Sequence, residues 1–298
     1  MPPPPPGPKD GLGPAVSTRP LLAPAVGLLL VWSIVPLVLT LWFSVQRYNL
    51  LDSSVGGFVG WGNYAFLFSD PNLGNALLNT VLLVGGVLVA SVVFGLACAV
   101  ALDQSFPGQG IARLLCIAPF FVMPTVSALI WKNLLMHPVN GLFAYVSRSL
   151  GLPVIDWFAQ WPLFSVGIIV AWQWIPFATL ILLTSLQSLD RDQIEAARMD
   201  GARGLRLFAF ITLPHLARSI TIVVMIETIF LLSVFAEILV TTAGGPGNAS
   251  TTLPFLIYKT ALLDYDVGGA SAGGVLAIVL ANIVAFFLVR TIAHNLDR

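Results

Sequence analysis

The chain has 298 residues, 14 Lys and Arg against 14 Asp and Glu, 57% hydrophobic residues and only 9% charged ones, with a mean hydropathy of +0.90. A soluble domain carries roughly 25% charged residues, so this balance excludes one and indicates an integral membrane protein. Zero net charge with no basic, aromatic-interleaved stretch excludes a nucleic-acid groove, and two cysteines, both in apolar stretches, give no disulfide framework or metal site.

Residues 1–20, MPPPPPGPKDGLGPAVSTRP, are too proline-rich and too poor in apolar side chains to fold, and read as a disordered cytoplasmic tail. Six apolar stretches of about 20 residues follow, each long enough to cross a bilayer as a helix. They are Leu21–Phe43, Leu77–Leu102, Leu114–Leu135, Leu163–Leu183, Ile220–Val240 and Ala272–Val289. The first is too long for a signal-peptide core and reads as a retained span. With six spans both termini share one side. Placing them in the cytoplasm puts Lys9, Arg19, Arg113, Arg191, Arg198, Arg203, Arg206, Arg218, Arg290 and Arg298 inside, leaving only Arg47, Lys132, Arg148 and Lys259 outside. Residues 21–298 therefore form one membrane domain, and the segment 190–218 faces the cytoplasm.

Within that segment Asp192 is placed to cap a helix, with Glu195 three residues later, and Gly201 to end it. The spacing predicts one short helix over Gln193–Asp200 and a second over Leu205–Thr212, the latter interrupted by Pro214. Ala196, Ala197, Gly201 and Ala202 make a small-residue surface that another backbone can approach closely.

The expected fifth span contains Glu227 and Glu237. Ten residues of continuous helix would place them about 80° apart, with Ser233 on nearly the same face as Glu237. Ionisable groups at membrane depth usually face a cavity or a partner, so these three are the candidate solute pathway. Trp172, Gln173, Trp174 and Asn282 are weaker candidates. Gly244-Gly-Pro-Gly247 reads as a tight turn, Gly269 and Gly273 as a close helix contact, and Asn248-Ala-Ser250 as an accidental glycosylation sequon.

A phosphate-cradling loop needs Gly-Lys-Ser/Thr, yet Lys9, Lys132 and Lys259 follow Pro8, Trp131 and Tyr258. Hydrolase and metalloprotease motifs are also missing, and His137, His215 and His294 are scattered. The chain does not read as an enzyme.

Glu195, Ala196, Ala197, Gly201, Ile211, Leu213 and Pro214 resemble the signature loop of the inner-membrane permeases of binding-protein-dependent ABC importers. Asn63-Tyr64, Asn79-Thr80, Thr241-Thr-Ala-Gly-Gly-Pro-Gly247 and Tyr258 look like the carbohydrate branch of that family. Val234–Thr242 and Asp266–Gly274 are similar to permeases for sorbitol- and mannitol-type polyols. The resemblance implies an all-α, six-helix type I importer fold with a cytoplasmic coupling helix, set in a bacterial inner membrane. It further implies an ATPase dimer that holds ATP and Mg, a second homologous permease, an extracytoplasmic solute-binding protein and a sugar or polyol as cargo, with no cofactor in this chain. Glu195 would be the polar contact to the ATPase; Ala196, Ala197 and Gly201 would supply close packing, and Asp200 a rim contact. The competing reading is a proton-coupled secondary transporter using Glu227 or Glu237 as relay; it gives no account of the signature loop.

Overall fold

A computed structural model describes residues 19–52 and 56–296. The tail expected over 1–20 lies outside the described residues except for Arg19 and Pro20, which already belong to the first helix.

Helix α1 (Arg19–Ser44) runs into a two-residue antiparallel ladder, β1 (Gln46–Arg47) with β2 (Gly57–Phe58), and then into α2 (Gly62–Ser69). The long α3 (Pro71–Asp103) follows, capped by the Asp70 side chain, which accepts from the Asn72 amide, and with Pro71 at its first position. Then come α4 (Gln109–Ile117), α5 (Pro124–Ile130), α6 (Leu142–Ser149), α7 (Trp157–Gln160) and α8 (Pro162–Gln187). The chain continues through α9 (Arg191–Met199), α10 (Leu205–Leu207), α11 (Leu213–Leu231), α12 (Ala236–Thr241), α13 (Leu253–Leu262) and α14 (Val267–Leu296).

Among the described residues five helical stretches are long and apolar enough to cross a membrane: Leu22–Ser44, Pro71–Asp103, Pro162–Gln187, Leu205–Leu231 and Val267–Leu288. A sixth crossing requires the pair Gln109–Phe121 and Pro124–Leu135, which is bent by 107°. The third span expected from sequence is therefore not one straight helix. Its break lies between two prolines: Pro119 sits in a 3-10 turn over Ala118–Phe121, and Pro124 holds Met123 extended at φ −60°, ψ 138°.

The fifth span also departs from expectation. It begins at Leu205, well before Ile220, and ends at Leu231 instead of Val240. Pro214 does not interrupt it, because a π turn over Phe208–Thr212 precedes the proline and the Leu213 amide bonds to the Phe208 carbonyl five residues back. The wider turn accommodates a residue that has no N–H and whose ring would crowd an α-helical carbonyl. At the other end the helix tightens: the Ser233 and Val234 amides donate to the Phe230 and Leu231 carbonyls, the Ser233 hydroxyl donates to the Phe230 carbonyl at 2.7 Å, and the chain turns at Phe235 into α12.

The core lies where α3 crosses α8. Leu83, Val84 and Val87 pack on Val166 and Val170, and Ile238 and Phe255 close the cluster. Gly95 permits that crossing, since a Cβ there would fall 2.6 Å from Ala178 Cβ and 3.2 Å from the Thr179 amide nitrogen. Helix α1 packs on α14 and keeps a wide apolar face uncovered, with Trp32 79% exposed, which suits lipid or another membrane helix. Gly273 does mark a close helix contact, with the Ile257 side chain of α13 at 3.0 Å from where its Cβ would stand.

A polar network pins the end of the bundle remote from α9. Asn63 donates to the Ser44 and Gln46 carbonyls at 2.9 and 2.8 Å, and the Tyr64 hydroxyl donates to Ser44 Oγ. Asn79 donates to the Asn248 and Thr251 carbonyls, while Thr80 Oγ1 accepts from the Leu253 amide at 2.9 Å. The Gly244–Gly247 turn is thereby seated on the start of α3. Asn248 commits its own amide to Asn72 Oδ1, and Ser250 is fully buried.

Candidate coupling and translocation site

Helix α9 is capped by Asp190, whose side chain accepts from the Asp192 amide at 2.9 Å. The cap expected at Asp192 thus lies two residues earlier, because Asp190 is the residue in extended conformation (φ −64°, ψ 127°) just outside the helix. Glu195 is consequently free of any capping role in the geometry observed. The C-terminus closes as a Schellman motif: the Gly201 amide donates to the Arg198 carbonyl at 3.1 Å and the Ala202 amide to the Ala197 carbonyl at 2.9 Å. Gly201 takes φ +87° to make that turn, a conformation that costs glycine nothing.

None of residues 192–201 is buried. Glu195, Ala196, Asp200 and Gly201 are exposed, Ala197 is half-buried, Met199 is 88% exposed, and a Cβ on Gly201 would meet nothing within 4 Å. The segment nonetheless has firm roots. His215, at the start of α11, bonds through Nε2 to the Ser185 carbonyl near the end of α8 at 2.9 Å. A carbonyl only accepts, so that nitrogen carries the proton. Ile211 is half-buried, while Leu213 and Pro214 lie exposed on the return to the membrane. The result is a small-residue helix held at both ends and left open along its length. Sequence reasoning did not find His215, although its position next to Pro214 was visible.

The three pathway candidates do not share one helical face. Glu227 lies in α11 and is 0% exposed; Glu237 lies in α12 and is 4% exposed; Ser233 is exposed in the break between them, with its hydroxyl turned back to Phe230. The 80° separation expected for continuous helix is lost because the helix stops at Leu231. Neither Glu227 carboxyl oxygen meets a hydrogen-bond partner of full geometry among the described residues, and the buried Ser91 hydroxyl of α3 lies beside them.

A cavity of about 720 Å³ runs between α3 and α8 and is lined by Gly86, Ala90, Phe94, Trp131, Phe164 and Trp172 among others. Trp131 and Trp172 meet edge to face with centroids 5.9 Å apart. Trp174 packs on Phe230, and Asn282 donates within its own helix to the Ile278 carbonyl. Gln173 is buried and donates to the Val122 carbonyl at 2.8 Å. Its hydrogen bond in this structure goes to the break in the third span. Cys98 and Cys116 are both free thiols, and among the described residues no group of three or more His, Cys, Asp or Glu could hold a metal ion.

Residues 91–298 match the profile of the binding-protein-dependent transport system inner membrane component family, a region that includes α9 and all the spans after α3. The chain belongs to this family. It is a membrane-spanning permease subunit of an ATP-driven importer, and hydrolysis resides in a separate subunit. The proton-coupled carrier reading is set aside by that membership. Among the permease's relatives, the probable ABC transporter permease protein y4oQ of Sinorhizobium fredii is 35% identical over 251 residues, covering 84% of this chain and 81% of that one. The trehalose/maltose transport system permease protein MalF of Thermococcus litoralis is 31% identical, with 90% of this chain and 92% of that one aligned. The sn-glycerol-3-phosphate transport system permease protein UgpA of Agrobacterium fabrum is 30% identical, with 91% and 92% aligned. In fold, the permease is similar to a chain of a bacterial ABC transporter involved in import of the acidic polysaccharide alginate: TM-score 0.78 at 19% identity, over 93% of this chain and 94% of that one.

Proposed function

We propose that this permease forms half of a translocation pathway for a neutral sugar or polyol, with both termini cytoplasmic. In this reading an ATPase dimer drives it through α9, an extracytoplasmic solute-binding protein loads it, and a second homologous permease completes the pathway. The observation that carries the reading is α9 itself, which is capped at both ends and presents exposed Glu195, Ala196 and Gly201 beside a half-buried Ala197, with none of residues 192–201 buried among the described residues. A cleft in another protein can seat such a surface closely, and the His215–Ser185 bond would pass a push on α9 to both α8 and α11. ATP and Mg belong to the ATPase partner.

Relatives whose names specify trehalose, maltose or glycerol phosphate support a polyhydroxylated cargo. A neutral solute fits the charges better than a phosphorylated one. The buried ionisable groups Glu227 and Glu237 are acidic, and Lys132 is already engaged with a backbone carbonyl. Glu237, Glu227 and Ser233 remain the proposed contributors to the pathway, reached once the spans rearrange or a second subunit completes the cavity. The test is reconstitution of the permease pair with its ATPase and binding protein in proteoliposomes, screened across sugars, polyols and their phosphates. Solute-stimulated ATP hydrolysis with a neutral sugar or polyol supports the reading; stimulation by phosphorylated solutes alone sinks the neutral assignment.

A further inference from the structure

The third span of this permease is bent, the fifth ends at Leu231, and one side chain joins the bent span to the short helix that follows the fifth. Lys132 lies in a π turn over Trp131–Leu135 that directly follows α5, and its Nζ donates to the Val240 carbonyl at 2.9 Å. Val240 is the next-to-last residue of α12, so its carbonyl belongs to the last turn, where no intrahelical donor remains. The residues are 108 positions apart in sequence, and α12 packs directly on α5.

Broken backbone at membrane depth persists only where neighbouring groups re-satisfy it or where it lines a cavity. Lys132 stands near the end of the Pro124–Leu135 half of the bent span, where an ammonium partly withdrawn from water needs a hydrogen-bond partner. Its ammonium has three donors, and here it is half-buried and reaches a backbone carbonyl. It takes that carbonyl although α12 also carries the buried Glu237, three residues before Val240. A single neutral acceptor grips an ammonium less firmly than a carboxylate would. Trp131, beside Lys132 in the same π turn, lines the α3–α8 cavity, so movement of this turn would alter the cavity wall and α12 together.

We infer that Lys132 is a positioning residue for transport: its bond to the Val240 carbonyl ties the bent third span to α12, so that the two elements move as one unit when the pathway opens. The inference rests on the importer reading for its functional consequence, but the tie itself can be measured without transport.

The experiment compares Lys132→Met and Lys132→Arg in the full assembly, with and without Val240→Cys, which keeps the backbone carbonyl. Lys132→Met is expected to lower the maximal uptake rate about tenfold, as befits loss of a hydrogen bond to a charged group, with apparent affinity and assembly unchanged. Arg retains a donor and is expected to restore most of the rate. In the Met variant, the thiol introduced by Val240→Cys is expected to label several-fold faster with a small thiol reagent, and in the Arg variant at the parent rate. Equal labelling in all three backgrounds, a wild-type uptake rate in Lys132→Met, or an Arg variant that behaves like Met would each overturn the assignment. If the parent assembly shows no solute-stimulated ATP hydrolysis, the importer reading fails, while the labelling comparison still decides whether Lys132 holds α12.

Discussion

Gln173 in the middle of α8 donates to the Val122 carbonyl, 51 residues earlier, at the point where the third span bends. Val122 and Met123 link the 3-10 turn to α5, and the Val122 carbonyl is left outside both. Val122 is half-buried, so losing the donor to its carbonyl costs at most the figure for a fully buried unpaired group, about 1–3 kcal/mol. Gln173→Leu is therefore expected to destabilise the permease by up to that amount, read as a lower thermal midpoint of the purified assembly. An unchanged midpoint would show that another donor takes the carbonyl over.

The position of the α9 cap separates two effects that the sequence alone merges. Asp190→Ala removes the side chain that accepts from the Asp192 amide and should cost the helix about 1 kcal/mol, weakening ATPase binding through fraying. Glu195→Ala leaves the cap intact and improves helix propensity. It should reduce solute-stimulated ATP hydrolysis solely through the lost contact. Normal stimulation in Glu195→Ala would count against this glutamate as a docking residue.

Gly201 supports a sharper comparison. Its φ of +87° strains most side chains, whereas asparagine tolerates the left-handed region better than most, and among the described residues nothing lies within 4 Å of the missing Cβ. Gly201→Asn should thus fold normally yet block close approach by the ATPase, and Gly201→Asp should add charge to the same obstruction. Both variants are expected to insert in the membrane and to lose coupled uptake. Full uptake by Gly201→Asn would mean that nothing packs against this turn.

Gly95 provides a control in the core. Gly95→Leu places a branched side chain where Ala178 and Thr179 already stand, and should lower permease levels in the membrane without selective loss of coupling. Wild-type abundance and stability would show that the α3–α8 crossing can open.

The membrane character, the helical class and the position of α9 were legible because they rest on local signals: runs of apolar residues, a polar interval, and a glycine after a short helix. The α4–α5 bend was also written in the chain, as Pro119 and Pro124, but hydropathy averages over such punctuation and joins the two halves into one span. The stop at Leu231 had no comparable mark. Leu232-Ser-Val-Phe235 contains neither proline nor glycine, and only the tertiary placement of α12 against α5 and α8 shows that the helix ends there. Asn63, Tyr64, Asn79 and Thr80 stand out in the sequence as family features, yet their work as pins for distant carbonyls and amides depends on pairings up to 173 residues apart. Lys132 and Gln173 likewise acquire their roles from breaks in other elements.

Glu237 is the riskiest position among the proposed pathway residues. It sits on a six-residue helix whose far end Lys132 contacts, it is almost fully buried, and Thr241 bonds to its backbone carbonyl. For a polyhydroxyl solute, a carboxyl supplies hydroxyl acceptors that leucine cannot, a difference of about 1–3 kcal/mol or roughly 5- to 150-fold in transport efficiency. Glu237→Leu should impair uptake while ATPase binding and membrane abundance stay normal, and Glu237→Gln, which keeps one acceptor oxygen, should fall between. Because Lys132 bonds to the backbone of Val240 and not to this side chain, neither substitution should loosen α12, and thiol labelling in the Val240→Cys background should remain at the parent rate. Normal apparent affinity and rate in Glu237→Leu would make the glutamate a structural group, and would leave selection of the solute to residues of the second permease.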